Sequence, residues 1–278
     1  MPRPLFIAFV FCVLVLPFDR AFAATEVPIV FRNGMLRVKV TTPAGGEPLT
    51  FLLDSGAGAS VIDLATARRL ALPLGTPEPV RGVHTKGVAY RVDRIAATLG
   101  AVAVPHSMLA LDLRAIGGAV GCRIDGLLGA DFFRGRIVQL DYAAGKMRLL
   151  SRDELSPAGA EILPLARRNG IFCVLADLGG KRGERLRVDT GCSSALEWVM
   201  SGNRRGAGGP TSIGVFDVHS RSACLEVRLG SLRLGDVKTG LHREPIFPGE
   251  DGLLGNGLLS RFTVTFDAAA DRLILQRR

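Results

Sequence analysis

Aromatic side chains are scarce in this sequence of 278 residues: one tryptophan, two tyrosines and 14 phenylalanines make up 6% of it. Its net charge of +9 comes mainly from scattered arginines. A nucleic-acid surface needs basic clusters interleaved with aromatics, and none is present. The excess charge therefore reads as a solvated basic surface, and no nucleic-acid partner is expected. There is no C-x-x-C, which argues against a zinc ribbon or a thioredoxin-like motif. There is no H-E-x-x-H or calcium-loop spacing either, so neither a metal nor a cofactor is indicated. Gly56-Ala57-Gly58 starts like a dinucleotide loop, but Val61 stands at the third glycine and no repeated βαβ pattern follows. Gly191-Cys192-Ser193-Ser194-Ala195 lacks the last glycine of a nucleophile elbow. The four histidines, His84, His106, His219 and His242, are expected on the surface or in flaps rather than as the base of a serine hydrolase.

Long apolar runs are also missing beyond the first residues. Arg3 precedes the apolar run Leu5 to Phe18, and Ala21-Phe22-Ala23 follows as a small-residue cleavage pattern. Residues 1–23 thus read as a secretory signal peptide, too short in its apolar part for the roughly 20 residues that span a bilayer. Cys12 lies mid-run after a phenylalanine, which disfavours a lipid-anchored amino terminus. The expectation is an exported protein, periplasmic or secreted, with no stable membrane span once the signal is removed. In such a compartment Cys122, Cys173, Cys192 and Cys224 can form disulfides, though the sequence selects no pairing.

The remaining chain repeats itself. "VPIVFRNGMLRVKV" from Val27 is matched 136 residues later by "LPLARRNGIFCVLA" from Leu163. "LLDSGAGAS" around Asp54 is matched by "RVDTGCSSA" around Asp189, and "IAATLGAVAV" by "LEVRLGSLRL". "DGLLGADFF" from Asp125 is matched by "DGLLGNGLL" from Asp251. The matches are collinear, as two homologous lobes would make them: residues 24–150 and 160–278, joined by a polar linker over 151–159. Short runs rich in Val, Ile and Leu between Gly, Asn-Gly and Pro turns read as strands. Each lobe is expected to carry one short helix, within "SVIDLATARRLAL" after Asp54 and "SALEWVM" after Asp189.

An apolar strand delivers Asp54 to Ser55-Gly56, and another delivers Asp189 to Thr190-Gly191. A carboxylate at the end of an apolar strand is costly unless it is paired, hydrogen-bonded or protonated. If the two turns meet on a pseudo-twofold axis, the carboxyls lie side by side and share one proton, one serving as acid and the other as base. Such a pair activates water without a metal or a covalent intermediate.

In these features the sequence resembles the pepsin-like and retropepsin-like aspartic peptidases. The resemblance rests on Leu52-Leu53-Asp54-Ser55-Gly56, on Val188-Asp189-Thr190-Gly191, and on Leu127-Leu128-Gly129 and Leu253-Leu254-Gly255. It implies an all-β fold of two retropepsin-like barrel lobes. Asp54 and Asp189 would be the catalytic dyad, Ser55 and Thr190 would brace the two loops, and Gly56 and Gly191 would allow their approach. Arg81 to Tyr90 would form a flap, placing His84, Thr85, Lys86, Gly87 and Tyr90 at the substrate. Gly214 to Ala223 would be its counterpart. The implied protein is an exported, monomeric endopeptidase acting on peptide or protein substrates; the alternative is an inactive binding module of the same fold.

Two positions depart from that pattern. Arg187 stands two residues before Asp189, on the same strand face, where the first lobe has Leu52. It would either reach the Asp189 carboxylate and favour its charged form, or pair with Glu184 or solvent. Cys192 stands where the first lobe has Ala57; a small buried thiol fits there, and a disulfide to Cys224 is one option.

Overall fold

Asn33-Gly34 and Asn169-Gly170 both turn at positive φ (53° and 74°, then 51° and 81°). That is the type I′ geometry that lets a two-residue loop follow the right-handed twist of paired strands. Each opens a hairpin from which an eight-stranded sheet grows. A computed structural model describes residues 25–43, 45–82, 85–200, 207–213 and 216–278; the expected signal peptide and His84 lie outside them.

The first sheet runs β2 (Val30–Arg32), β3 (Met35–Val40), β4 (Leu49–Leu53), β11 (Gly126–Leu128), β5 (Val61–Asp63), β10 (Met108–Leu111), β7 (Thr85–Val92) and β6 (Pro77–Gly82). The second runs β15 (Ala166–Arg168), β16 (Ile171–Leu178), β17 (Lys181–Asp189), β22 (Gly252–Gly255), β18 (Leu196–Val199), β21 (Leu232–His242), β20 (Phe216–Leu229) and β19 (Ala207–Ile213). Position by position, the two orders correspond. In both, the strand carrying the Asp turn lies parallel to the Gly-Leu-Leu strand: Leu52 opposite Leu127 on β4 and β11, Arg187 opposite Leu253 on β17 and β22.

A third sheet takes three strands from each half, in the order β1 (Thr25–Pro28), β13 (Lys146–Leu150), β12 (Ile137–Asp141), β23 (Phe262–Asp267), β24 (Arg272–Arg277) and β14 (Glu161–Pro164). The halves meet where β12 pairs with β23 from Ile137–Asp267 to Asp141–Thr263. A small ribbon, β8 (Thr98–Leu99) with β9 (Val102–Ala103), completes the strands. One apolar core runs through both halves. At its centre Phe133 lies 4.9 Å from Phe266 and 6.3 Å from Phe172, ring centre to ring centre.

The protein is mostly strand, as expected, but the helices differ. The described residues hold four: α1 (Leu64–Arg69), α2 (Arg114–Val120), α3 (Ala130–Phe133) and α4 (Asn256–Leu259). The first predicted helix starts late, because β-branched Val61 and Ile62 are claimed by β5 between β10 and β11. Asp63 then caps α1, accepting from the Thr66 N–H at 3.0 Å. The second predicted helix is strand β18. Helix propensities distinguish ordinary residues by at most about 0.7 kcal/mol each. Burying a large apolar side chain is worth about 1.5–3 kcal/mol, and β18 buries Leu196 and Trp198 completely.

Two further expectations are corrected. Cys122, Cys173 and Cys224 are free thiols, so the Cys192–Cys224 disulfide is not formed. Cys192 is buried against Ile246 and Leu253. His242 is not a surface residue: it is buried, with Nε2 2.7 Å from Oε2 of fully buried Glu197.

Candidate active site

Strands β4 and β17 end side by side, and the turns that follow them interlock. The Ser55 N–H donates to Thr190 Oγ1 at 2.9 Å, and the Thr190 N–H donates to Ser55 Oγ at 3.1 Å. The hydroxyls then donate back across the junction, Ser55 Oγ to the Val188 carbonyl at 2.7 Å and Thr190 Oγ1 to the Leu53 carbonyl at 2.9 Å. All four bonds are buried, where leaving one partner unsatisfied costs about 1–3 kcal/mol. The two loops are thus tied directly to one another.

This brace brings the two aspartates together. Asp54 Oδ1 accepts from the N–H groups of Gly56 (3.1 Å) and Ala57 (3.0 Å). Asp189 Oδ1 accepts from that of Gly191 (2.8 Å). A methyl group at Gly56 would overlap the Asp189 carboxylate, and one at Gly191 would overlap that of Asp54. Each glycine is therefore the floor under the opposite acid. The two carboxyls lie close enough to interact, and like charges that close cannot both ionise comfortably, so the pair favours holding one proton between them. Burial raises both carboxyls above the ordinary carboxylate range; at Asp189 the Asp54 charge adds to the rise, while the Arg187 charge pulls both back.

Arg187 takes neither expected role. Its Nε and Nη2 form a bidentate pair with Glu250, at 2.7 and 2.8 Å. Its guanidinium carbon lies 3.4 Å from the centre of the Phe247 ring, and its Nη1 donates to the Gly56 carbonyl at 2.8 Å. Glu184 instead accepts from the Trp198 indole N–H.

Below the loops, Asn256 ties three segments together. Its Nδ2 donates to the carbonyls of Thr190 (2.6 Å) and Gly34 (2.8 Å), and its Oδ1 accepts from the Tyr142 hydroxyl at 2.8 Å. Sequence reasoning passed over Asn256, Tyr142 and Glu250. The available signal at Asn256 is a polar residue directly after Leu253-Leu254-Gly255, where the matching position is Ala130.

Thr85, Lys86 and Gly87 lie on β7, opposite Gly82, Arg81 and Val80 of β6. Tyr90 is a strand residue, set between Pro77 and Ala110 and packed partly buried on the core. Among the described residues no three His, Cys, Asp or Glu side chains converge as a metal site would require. No helix among them is long and apolar enough to cross a membrane.

A family model described as aspartyl protease matches residues 38–132. Over that span, which contains Asp54-Ser55-Gly56 and Leu127-Leu128-Gly129, the chain is similar to aspartyl proteases of the retropepsin-like type. No curated protein matches the chain.

Proposed function

We propose that this chain is an exported aspartic endopeptidase in which Asp54 and Asp189 activate one water against a peptide bond. The observation that carries the reading is the placement of these two acids, each seated over the other loop's glycine by the reciprocal bonds of Ser55 and Thr190. The family match supports hydrolysis over the first half. The corresponding strand orders of the two large sheets support a second, duplicated lobe over residues 160–278 that supplies Asp189. Export rests on the signal-like pattern of residues 1–23.

In this mechanism an extended peptide lies across the junction of the lobes, held by strand-like hydrogen bonds. The ionised carboxylate takes a proton from water as the water oxygen attacks the scissile carbonyl carbon. The protonated carboxyl gives its proton to the carbonyl oxygen, and a neutral gem-diol forms. Collapse of the diol breaks the C–N bond, the amine leaving with a proton from the acid that had just accepted one. The other acid recovers its proton from the diol hydroxyl. No charge is left exposed in a site that solvates charge poorly, and each step leaves one proton on the pair.

The test is digestion of a diverse peptide mixture from acid to neutral pH, beside Asp54→Asn and Asp189→Asn. Cleavage that falls by about 10²-fold or more in both variants supports the dyad; cleavage at an undiminished rate in either refutes it. The second reading, a peptide-binding module without turnover, is favoured by one observation, the Arg187 charge that opposes the shared proton. Peptide binding without cleavage at any pH, retained in Asp189→Asn, would establish it.

A further inference from the structure

The two interlocked turns match atom for atom in their brace but differ in one charge. In the first sheet the residue two before the acid is Leu52, packed among Met35, Val61, Leu113, Val120, Ile124 and Leu127. At the matching position of the second sheet is Arg187, 8% exposed, with Glu250 at 7%. Placing a guanidinium and a carboxylate out of water costs several kcal/mol per ion, and apolar residues of similar volume often serve stability as well. Packing alone therefore does not account for the pair.

The route from Arg187 to the acids is a single peptide group. Arg187 Nη1 donates to the Gly56 carbonyl oxygen at 2.8 Å. The nitrogen of that same peptide is Ala57 N, which donates to Asp54 Oδ1 at 3.0 Å and shares its hydrogen with the Asp54 carbonyl at 3.1 Å. A cation on a peptide oxygen draws electron density from the N–H and makes it a stronger donor, so bonds in series reinforce one another. The stronger donor favours a negative charge on Asp54. Glu250 and Phe247 hold the guanidinium from two further sides.

We propose that Arg187 is a positioning residue that, through the Gly56–Ala57 peptide, sets the anion on Asp54 and the shared proton on Asp189. The inference rests on the hydrolytic reading above for its catalytic meaning: Asp54 is the base that deprotonates water, and Asp189 is the acid that protonates the carbonyl. Among the described residues, the charged and titratable groups with a resolved influence on the pair are these. Asp54 and Asp189 each face the other and Arg187. Arg187 faces Glu250 and, across β16, Cys173. Burial pushes the Cys173 thiol up to about 11, so it brings no charge near neutrality.

Glu250→Gln and the double variant Arg187→Leu/Glu250→Gln separate the guanidinium from its counter-ion without leaving a buried charge orphaned in the double. The first readout is the pH dependence of kcat/KM. Relative to the unaltered protein, the acid limb should move to lower pH in Glu250→Gln, where the Arg187 charge is no longer offset. It should move up by about one unit in the double variant, where the donor loses its cation. A general packing defect would lower the rate in both without opposite shifts. The second readout needs no turnover: carbon-13 carboxyl NMR of the aspartates, assigned with Asp54→Asn and Asp189→Asn. Asp54 should ionise first in the unaltered protein, and its titration should move up in the double variant. An unmoved Asp54 titration, or Asp189 ionising first, overturns the inference. A protein that cleaves nothing refutes the hydrolytic reading alone, and the NMR titration then still decides the proton assignment.

Discussion

Ser55 and Thr190 exchange backbone N–H to side-chain oxygen bonds in both directions, at 2.9 and 3.1 Å, across 135 residues of sequence. Each hydroxyl is at once the acceptor for the partner's loop and a donor to the strand behind it. Ser55→Ala and Thr190→Val each leave a buried N–H and a buried carbonyl unanswered. Each should lower unfolding free energy by about 1–3 kcal/mol, measured by urea denaturation. Because both pairs of bonds clamp the same two turns, the double variant should cost less than the two single costs added.

The raised carboxyls of Asp54 and Asp189 carry a linkage consequence. In the folded protein the pair holds a proton at pH values where the unfolded carboxyls have lost theirs, so the native state binds more protons. Stability contributed by the pair is therefore complete below the ordinary carboxylate range and is lost as pH rises through the raised folded values. Asp189→Asn should flatten that decline and unfold at a higher temperature near neutrality. The same change should reduce peptide cleavage by about 10²–10⁴-fold. Thermal melts across pH, beside the cleavage assay, check both.

Glu197 and His242 form a second buried pair, on β18 and β21. The register positions they occupy are filled in the first sheet by Val61 and Leu111. His242→Ala would strand the Glu197 carboxylate, whose Oε1 already has no hydrogen-bond partner. It should cost about 3–5 kcal/mol. Glu197→Val/His242→Leu removes both polar groups and should cost less than His242→Ala alone; denaturation of both variants provides the comparison.

Thiol chemistry should follow burial. Cys224 is exposed and Cys122 partly so, whereas Cys173 and Cys192 are buried. A thiol reagent should label Cys122 and Cys224 in the native protein and reach Cys173 and Cys192 only after denaturation. Mass spectrometry of labelled peptides reads the pattern directly.

What could be read from the chain alone follows the range of the interactions. Asp54 and Asp189 were identifiable because each acid, hydroxyl and glycine is contiguous in sequence and occurs twice in one order. Strand β18 was not, because "SALEWVM" carries good helix formers and only the flanking β21 and β22 reveal the slot it fills. Arg187 stands out in the sequence as a departure from the first lobe's Leu52, yet its partner Glu250 is 63 residues away. Sequence alone offers only the strand neighbours Asp189 and Glu184 as counter-ions. Asn256 has the same character: its carbonyl partners at Gly34 and Thr190 come together only once both halves are folded.

The seam between β12 and β23 gives the covalent link between the halves little to do. Residues 151–160 run mostly exposed between β13 and β14. The halves are already joined by five register pairs, by the Phe133–Phe266 contact and by the exchanged bonds of the two Asp turns. A protease nick in that connector would leave two fragments clasped as a heterodimer, each holding one acid of the pair. The single chain then acts chiefly as a tether that sets the stoichiometry of its two parts.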